Sequence, residues 1–161
     1  MTKEIRAWVE QAIKEHDIGG KTLEIGSLDV NGGVRDLFED YIGIDQVEGK
    51  GVDLVMDANY LHGGFKPDLF DTVLCLEVLE HDKNFHATLS GIEFVLKEGG
   101  YLILSTPANG FPIHRYPKDY WRFNEDAYRE VLLGDGWNII KLETIPSGGY
   151  EAVICLAKKI K

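Results

Sequence analysis

Residues 22–57 read TLEIGSLDVNGGVRDLFEDYIGIDQVEGKGVDLVMD and set the pattern for the whole chain. Three short apolar runs in this stretch, each followed by a glycine or an acidic residue, predict β-strands over residues 22–25, 41–44 and 52–56. Between the first two strands lies a helical pattern with an apolar face made by Val34, Leu37 and Phe38. The segment before the third strand is too short for a crossover helix, so a loop or a single turn is expected there.

The next part of the chain predicts a further strand–helix–strand unit. Residues 72–76 are continuously apolar, which is typical of a strand buried on both faces of a sheet. An apolar stripe predicts a helix over residues 84–97, and Gly99 is expected to end it. A strand over residues 101–105 follows, so the two strands are expected to run parallel.

The two ends of the chain predict the remaining elements. Near the N-terminus, helical spacing of Ile5, Trp8, Val9, Ala12 and Ile13 indicates an amphipathic helix. Asn124 can cap a later helix, whose inward-facing side chains would be Ala127, Tyr128, Val131 and Leu132. Runs at 137–145 and 150–157, joined through residues 146–149, predict an antiparallel hairpin. We therefore expect an α/β fold with a mostly parallel, seven-stranded sheet and a C-terminal hairpin.

Composition limits the classes of function. A length of 161 residues suits one domain over residues 1–161, and a net charge of −10 argues against nucleic acid or membrane as a partner. Cys75 and Cys155 lie in apolar runs, as expected for buried free thiols in a reducing compartment. Charges interrupt the apolar residues of the N-terminus, unlike a signal peptide. These features favour a cytoplasmic protein.

Acidic residues recur where the predicted parallel strands end. They are Glu24, Asp45, Asp57 and Glu77. Ligands of open α/β sheets bind at this edge, and Asp45 follows Gly26 by 19 residues, the spacing at which a carboxylate accepts hydrogen bonds from a ribose diol. A nucleoside ligand would explain the series, and Asp57 could accept from an adenine amine. The alternative is purely structural: Glu24 as a buried turn residue, Asp57 as a loop cap and Gly26 as a turn glycine.

Four motifs carry a resemblance to a known family. They are LEIGSLDVNGG, YIGIDQVEGKGVDLVMDA, FDTVLCLEVLEH and LKEGGYLILSTP, and the match extends over residues 22–158. The sequence resembles the class I S-adenosylmethionine-dependent methyltransferases of the methyltransferase-11 type. The resemblance implies a Rossmann-like three-layer sandwich, S-adenosylmethionine as cofactor and S-adenosylhomocysteine as product.

The resemblance also implies the cofactor contacts. On the methionine side would be Glu24, Gly26 and Ser27. The ribose and adenosine would be held by Asp45 and Gln46, the adenine would be flanked by Asp57 and Ala58, and the site would be closed by Leu76 and Glu77. The first turn departs from the family's GxGxG pattern, which leaves the contacts of residues 27–31 open. The GxGxxG spacing of nicotinamide enzymes is also absent, and Asp29 near the turn would disfavour a pyrophosphate.

The acceptor side of the site is less well defined by the sequence. Methyl transfer mainly requires that nucleophile and methyl group are held in line, and a base helps only if the nucleophile loses a proton. Two histidines, His81 and His114, are candidates for that base, although a structural role for His81 is the alternative. In the aromatic segment at residues 107–123, substrate-facing roles are expected for Tyr116, Tyr120 and Arg122, and the alternative is a lid packed on itself.

The histidines give no metal-ligand spacing in the sequence. Four of them, His62, His81, His86 and His114, are scattered along the chain, so no bound metal is expected. The leading hypothesis is a methyltransferase acting on an O, N or C nucleophile of a small molecule. The alternative is a catalytically inactive cofactor-binding module that acts with a partner.

Overall fold

The strands of the chain form one seven-stranded mixed sheet. The computed structural model describes residues 1–160. The strands are β1 Lys21–Ile25, β2 Asp40–Asp45, β3 Leu54–Val55, β4 Phe70–Leu76, β5 Leu96–Pro107, β6 Trp137–Ser147 and β7 Tyr150–Lys159. Their order is β3-β2-β1-β4-β5-β7-β6. The first five are parallel, and β7 pairs antiparallel with both β5 and β6. This confirms the predicted fold class.

The order of the strands reverses between β1 and β4. From β1 the chain moves outward to β2 and β3, and it then returns to place β4 on the other side of β1. Loops leaving neighbouring strands in opposite directions open a crevice at the carboxyl edge of such a sheet. The reversal therefore places the ligand site above β1, β2 and β4.

Helices cover both faces of the sheet. Helix α1, Lys3–His16, begins at Thr2, whose hydroxyl accepts from the Ile5 N–H, and packs on one face. The other face is covered by α3, Phe85–Val95, together with α4, Glu125–Ala127, and its continuation as a π-helix over Tyr128–Leu133. Strand β4 is buried on both sides, as its apolar sequence predicts. Within residues 1–160, no helix is both long and apolar enough to span a membrane.

The remaining helical segments are short. They are 3-10 turns at Arg35–Leu37, Ala58–Tyr60, Leu79–His81 and Gly134–Gly136, and the four-residue α2 at Leu61–Gly64. The predicted helix after β1 is therefore a single 3-10 turn, although Val34 is buried as expected. Strand β3 has two residues rather than the predicted five, because only Leu54 and Val55 pair with β2.

Two predicted helix features are wrong in detail. Helix α3 ends at Val95 rather than at Lys97, because Leu96 already pairs with Phe70 and begins β5. Val131, predicted to face inward, is 54% exposed. The reason is the π-helical turn, whose wider spacing rotates Val131 away from the side on which Tyr128 and Leu132 are buried.

The C-terminal hairpin and the cysteines agree with the sequence. The hairpin turn consists of Gly148 and Gly149, whose φ angles of 58° and 88° are those that a tight two-residue turn requires. Both cysteines, Cys75 and Cys155, are buried and free. Burial raises the pKa of the Cys155 thiol to about 12, so this side chain acts as a small core residue.

Candidate functional site

A cavity of about 500 Å³ lies at the carboxyl ends of β1, β2 and β4. It falls where the strand order reverses, and its volume is in the usual range for small-molecule sites. All nine residues expected to contact a cofactor line it: Glu24, Gly26, Ser27, Asp45, Gln46, Asp57, Ala58, Leu76 and Glu77. The fold thus brings together side chains that come from four separate segments of the sequence.

The turn after β1 forms the floor of this cavity. The N–H groups of Gly26 and Ser27 both donate to the Ile44 carbonyl, at 2.9 and 3.0 Å, which bends the chain away from the sheet. Gly26 has a φ of 74°, a conformation that favours glycine. In place of the glycines usual in such turns, Asp29 accepts from the Gly32 N–H at 2.7 Å and pairs with Lys50 at 2.6 Å. The unusual first turn is therefore held by a side chain.

Backbone N–H groups orient both Asp45 and Asp57. The Asp45 carboxylate accepts from the N–H groups of Leu28 and Val47, at 3.3 and 3.2 Å, which fixes it at the end of β2. Asp57 accepts from the Asn59 N–H at 2.9 Å and so caps the following 3-10 turn. Both still line the cavity, so the capping alternative for Asp57 coexists with a place in the site.

Two buried carboxyl groups, Glu24 and Glu77, lie on the cavity wall. Burial raises the pKa of Glu24 to about 7, against the effect of the Tyr41 phenol, which donates to this carboxyl group. Burial likewise raises the pKa of Glu77 to about 7, although the Ser105 hydroxyl donates to it at 3.1 Å. Glu77 has a left-handed φ of 57°, a conformation that is costly outside glycine and concentrates at functional sites.

The histidines are not all scattered in the fold. His81 and His114, 33 positions apart in sequence, stack edge to face with ring centroids 4.8 Å apart. Both line the cavity and both approach Glu80, whose carboxylate is fully buried. The chain from Phe111 to Arg122 folds back over the 3-10 turn that carries His81, and this long-range contact is invisible in the sequence.

The segment after β5 carries the three residues that were expected to face a substrate. Tyr116 lines the cavity and is 61% exposed. Tyr120 lies outside the lining, and its N–H donates to the Glu80 carbonyl at 2.7 Å. Arg122 also lies outside the lining, so only one of the three residues reaches the cavity.

Arg122 instead holds this segment together. Its guanidinium spans both oxygens of Asp119, at 2.5 and 2.8 Å, and donates to the carbonyls of Phe111, Pro112 and Trp121. This pairing holds the pKa of Asp119 down at about 2. The lid alternative raised from the sequence thus describes Arg122 better than a substrate contact does.

The cavity has the chemistry that a sulfonium nucleoside requires. Its floor is backbone without a side chain at Gly26, its β2 edge presents the Asp45 carboxylate, and Glu77 closes the β4 side. The Ser27 hydroxyl is buried beside the cavity without a hydrogen-bond partner among residues 1–160. These residues fit an adenosine ligand with a positively charged sulfur.

Glu80 and Asp119 contact the two histidines of the site from behind the cavity lining, and neither was expected from the sequence as a functional residue. Glu80 follows Glu77 by three positions in the EVLEH motif, so its acidic character was visible but its direction was not. Asp119 gives no signal in the sequence, because its partners His114 and Arg122 are defined only by how the loop folds.

Comparison with known proteins identifies related chains. A family model described as a methyltransferase domain matches residues 1–136. Among curated proteins, the polyketide synthase component of compactin nonaketide synthase from Penicillium citrinum is 32% identical over 77 residues, which are 48% of this chain. The aligned part is 2% of that synthase, so the chain corresponds to a small part of it.

Solved structures share the fold at low identity. The 1,6-didemethyltoxoflavin-N1-methyltransferase of Burkholderia thailandensis, crystallised with 1,6-didemethyltoxoflavin and S-adenosylhomocysteine, has a TM-score of 0.79 and 16% identity over 99% of this chain and 80% of its own. A second similar chain comes from the complex between the Haloferax volcanii Trm112 methyltransferase activator and a methyltransferase. It has a TM-score of 0.68 and 15% identity, over 99% of this chain and 97% of its own.

Proposed function

Because the chain belongs to the methyltransferase domain family, we propose that it binds S-adenosylmethionine and transfers the methyl group to a small-molecule acceptor. The observation that carries this proposal is the convergence of nine residues, expected from the sequence to contact the cofactor, on one cavity at the carboxyl edge of the sheet. The catalysed reaction would release S-adenosylhomocysteine.

The protein residues supply binding and orientation. Two backbone N–H groups hold the Asp45 carboxylate, and in this proposal it accepts hydrogen bonds from the ribose diol. Gly26 lets the ligand approach the main chain, and Ala58 leaves room for a flat adenine ring at the cavity edge. When bound, the sulfonium supplies an activated methyl group.

The acceptor end of the cavity is marked by His81, His114 and Tyr116. Burial and the nearby His81 lower the pKa of His114, so its ring is neutral at pH 7 and can accept a proton. Tyr116 presents an aromatic face to an incoming molecule. This end is bounded by residues 114–117 of the segment that Arg122 holds.

The proposal is tested by calorimetric titration of the purified chain with S-adenosylmethionine and S-adenosylhomocysteine. We expect micromolar binding of both ligands, weakened at least ~10-fold in Asp45→Ala, since hydrogen bonds to a charged group contribute about 1.5–3 kcal/mol. The exposed Asp135, outside the cavity lining, provides a matched control, and Asp135→Ala should bind as tightly as the unmodified chain. Absence of binding to either ligand contradicts the proposal.

Methyl transfer itself is then tested by incubating the chain with S-adenosylmethionine labelled in the methyl group and a panel of small molecules that offer hydroxyl, amine or carbon nucleophiles. The measurement is the label transferred to each acceptor.

A second candidate function is a cofactor-binding module that acts with a partner. It is supported by the similarity to a chain from a complex between a methyltransferase activator and a methyltransferase. Cofactor binding without turnover, restored to turnover by an added partner chain, would favour this second candidate.

A further inference from the structure

Glu80, His81 and His114 form a cluster at the acceptor end of the cavity, and we name it the EHH cluster. Each residue offers one ligand atom, and the three atoms lie within 4.8 Å of one another. The Glu80 Oε1 atom is 3.5 Å from His81 Nε2 and 3.9 Å from His114 Nε2. Both histidines face the cavity, so the cluster is open on one side.

The carboxylate of Glu80 is the centre of this cluster and is unusually placed. The residue is fully buried, and neither of its side-chain oxygens has a hydrogen-bond partner within the described part of the chain. A buried carboxylate without partners is costly, so such groups are paired with charges or coordinate metals. The guanidinium of Arg122 is the nearby cation, but it is already bound to Asp119. Within the described part of the chain, no group donates a hydrogen bond to the Glu80 carboxyl group, which faces the rings of His81 and His114.

Hydrogen bonding fixes which nitrogen of His81 faces Glu80. The Nδ1 atom contacts the Lys118 carbonyl, and a carbonyl oxygen can only accept, so Nδ1 carries the proton. In the neutral ring, Nε2 is then without a proton and presents its lone pair toward the Glu80 carboxylate. Two acceptors that face each other at 3.5 Å leave a space suited to a shared cation.

His114 also directs Nε2 at Glu80, but its buried Nδ1 atom has no hydrogen-bond partner within the described part of the chain. Its Nδ1 atom lies 3.3 Å from Asp119 Oδ2, and its Nε2 atom faces Glu80. Asp119 is in turn oriented by Arg122 and by the His114 N–H at 2.7 Å. Metal-binding histidines usually direct their second ring nitrogen at a carboxylate or a backbone carbonyl, and both forms occur here.

We propose that the EHH cluster binds one divalent first-row transition-metal ion through Glu80, His81 Nε2 and His114 Nε2. Ligands about 2.1 Å from a tetrahedral metal lie about 3.4 Å apart, close to the 3.5 and 3.9 Å separations here. Two imidazoles with one carboxylate suit Zn²⁺, Mn²⁺ or Fe²⁺ better than Mg²⁺ or Ca²⁺, which prefer oxygen ligands. This departs from the expectation of no metal drawn from the sequence.

Three protein ligands leave coordination positions open toward the cavity. An ion there would orient an oxygen or nitrogen of the acceptor beside the cofactor site, a role that rests on the proposed function. In the metal-bound protein the two histidines are ligands, so they would not also act as general bases. The binding of the ion itself does not depend on methyl transfer and is measured without cofactor.

The test is calorimetric titration of the chelator-treated full chain with Zn²⁺ alone. The titration is repeated with Mn²⁺, whose binding is also followed by electron paramagnetic resonance. We expect one ion per chain, with affinity reduced at least ~10-fold in His114→Ala and in Glu80→Gln. His86 is exposed and lies outside the cavity lining, so His86→Ala should bind as the unmodified chain does. Circular dichroism verifies that each variant is folded.

Saturable one-to-one binding that is lost in His114→Ala supports the site. Absence of stoichiometric binding of both ions to the unmodified chain overturns it, as does binding unchanged in His114→Ala. The His114 side chain is 40% exposed on a loop, so this variant decides the question even if Glu80→Gln fails to fold. Binding of S-adenosylhomocysteine without metal binding contradicts this inference alone, and metal binding without nucleoside binding contradicts the proposed function alone.

Discussion

Gly26 lies directly against Val78 at the floor of the cavity, and a Cβ atom on Gly26 would come within 2.4 Å of Val78 Cγ2. Gly26 begins the turn directly after β1, and Val78 follows β4 by two positions. The contact therefore joins the two loops on either side of the point where the strand order reverses. It allows the β1 turn to come close to the ligand cavity.

This contact predicts that Gly26→Ala is strongly harmful. The positive φ and the clash with Val78 together should cost about 2 kcal/mol or more, and binding of S-adenosylhomocysteine should weaken as well. Chemical denaturation and calorimetry measure the two effects. Gly63→Ala is the matched control, because nothing lies within 4 Å of its added Cβ, and it should be neutral or slightly stabilising. Equal behaviour of both variants would contradict the prediction.

The contacts of Arg122 lead us to expect that replacing it loosens the segment 111–122 without weakening cofactor binding. Lysine cannot reproduce the forked contacts to Asp119 and to three carbonyls, so Arg122→Lys should destabilise the segment by about 1–3 kcal/mol. Hydrogen exchange of residues 111–122 should increase, while S-adenosylhomocysteine affinity stays unchanged. Exposed Arg129 gives the control variant Arg129→Lys. Unchanged exchange in Arg122→Lys would show that other contacts hold the loop.

The raised pKa of Glu24 leads us to expect that the free energy of unfolding decreases as the pH rises. Its pKa of about 7 lies above the usual 4.5, so the folded protein retains a proton that the unfolded chain has released. This contribution is complete below pH 4.5 and is lost as the pH rises through 7, with a size of up to about 3 kcal/mol. In Glu24→Gln the slope of unfolding free energy between pH 5 and 8 should become smaller. The exposed Glu48 provides the control Glu48→Gln, which should leave the slope as it is.

We expect Tyr116→Ala to weaken acceptor binding and Tyr120→Ala to leave it unchanged. Tyr116 lines the cavity, so Tyr116→Ala should raise the KM for the acceptor several-fold and leave S-adenosylmethionine affinity unchanged. Tyr120→Ala removes a side chain outside the lining, so its KM should remain that of the unmodified chain. Steady-state kinetics on a confirmed acceptor compare the two. A full-activity Tyr116→Ala enzyme would remove this residue from the acceptor site.

The positions of the residues expected to contact the cofactor could be predicted because their sequence signals are local. Strand patterns position Glu24, Asp45 and Asp57 at strand ends, and parallel strands bring their carboxyl ends to one edge. The family match confirms the resemblance on which the individual contacts were expected. Those contacts themselves stay predictions until ligand binding is measured.

The sequence by itself determined the strands, the parallel direction of the first five and the acidic residues at their ends, because periodicity and turn residues act over a few neighbouring positions. Only the tertiary structure decided that Arg122 turns inward to Asp119, whereas Tyr116 reaches the cavity. It also decided that His114 meets His81 and Glu80. The contacts of His114 with His81 and Glu80 join residues more than 30 positions apart. All of these contacts depend on how the irregular segment 111–122 packs back on the sheet edge, which local sequence pattern does not encode.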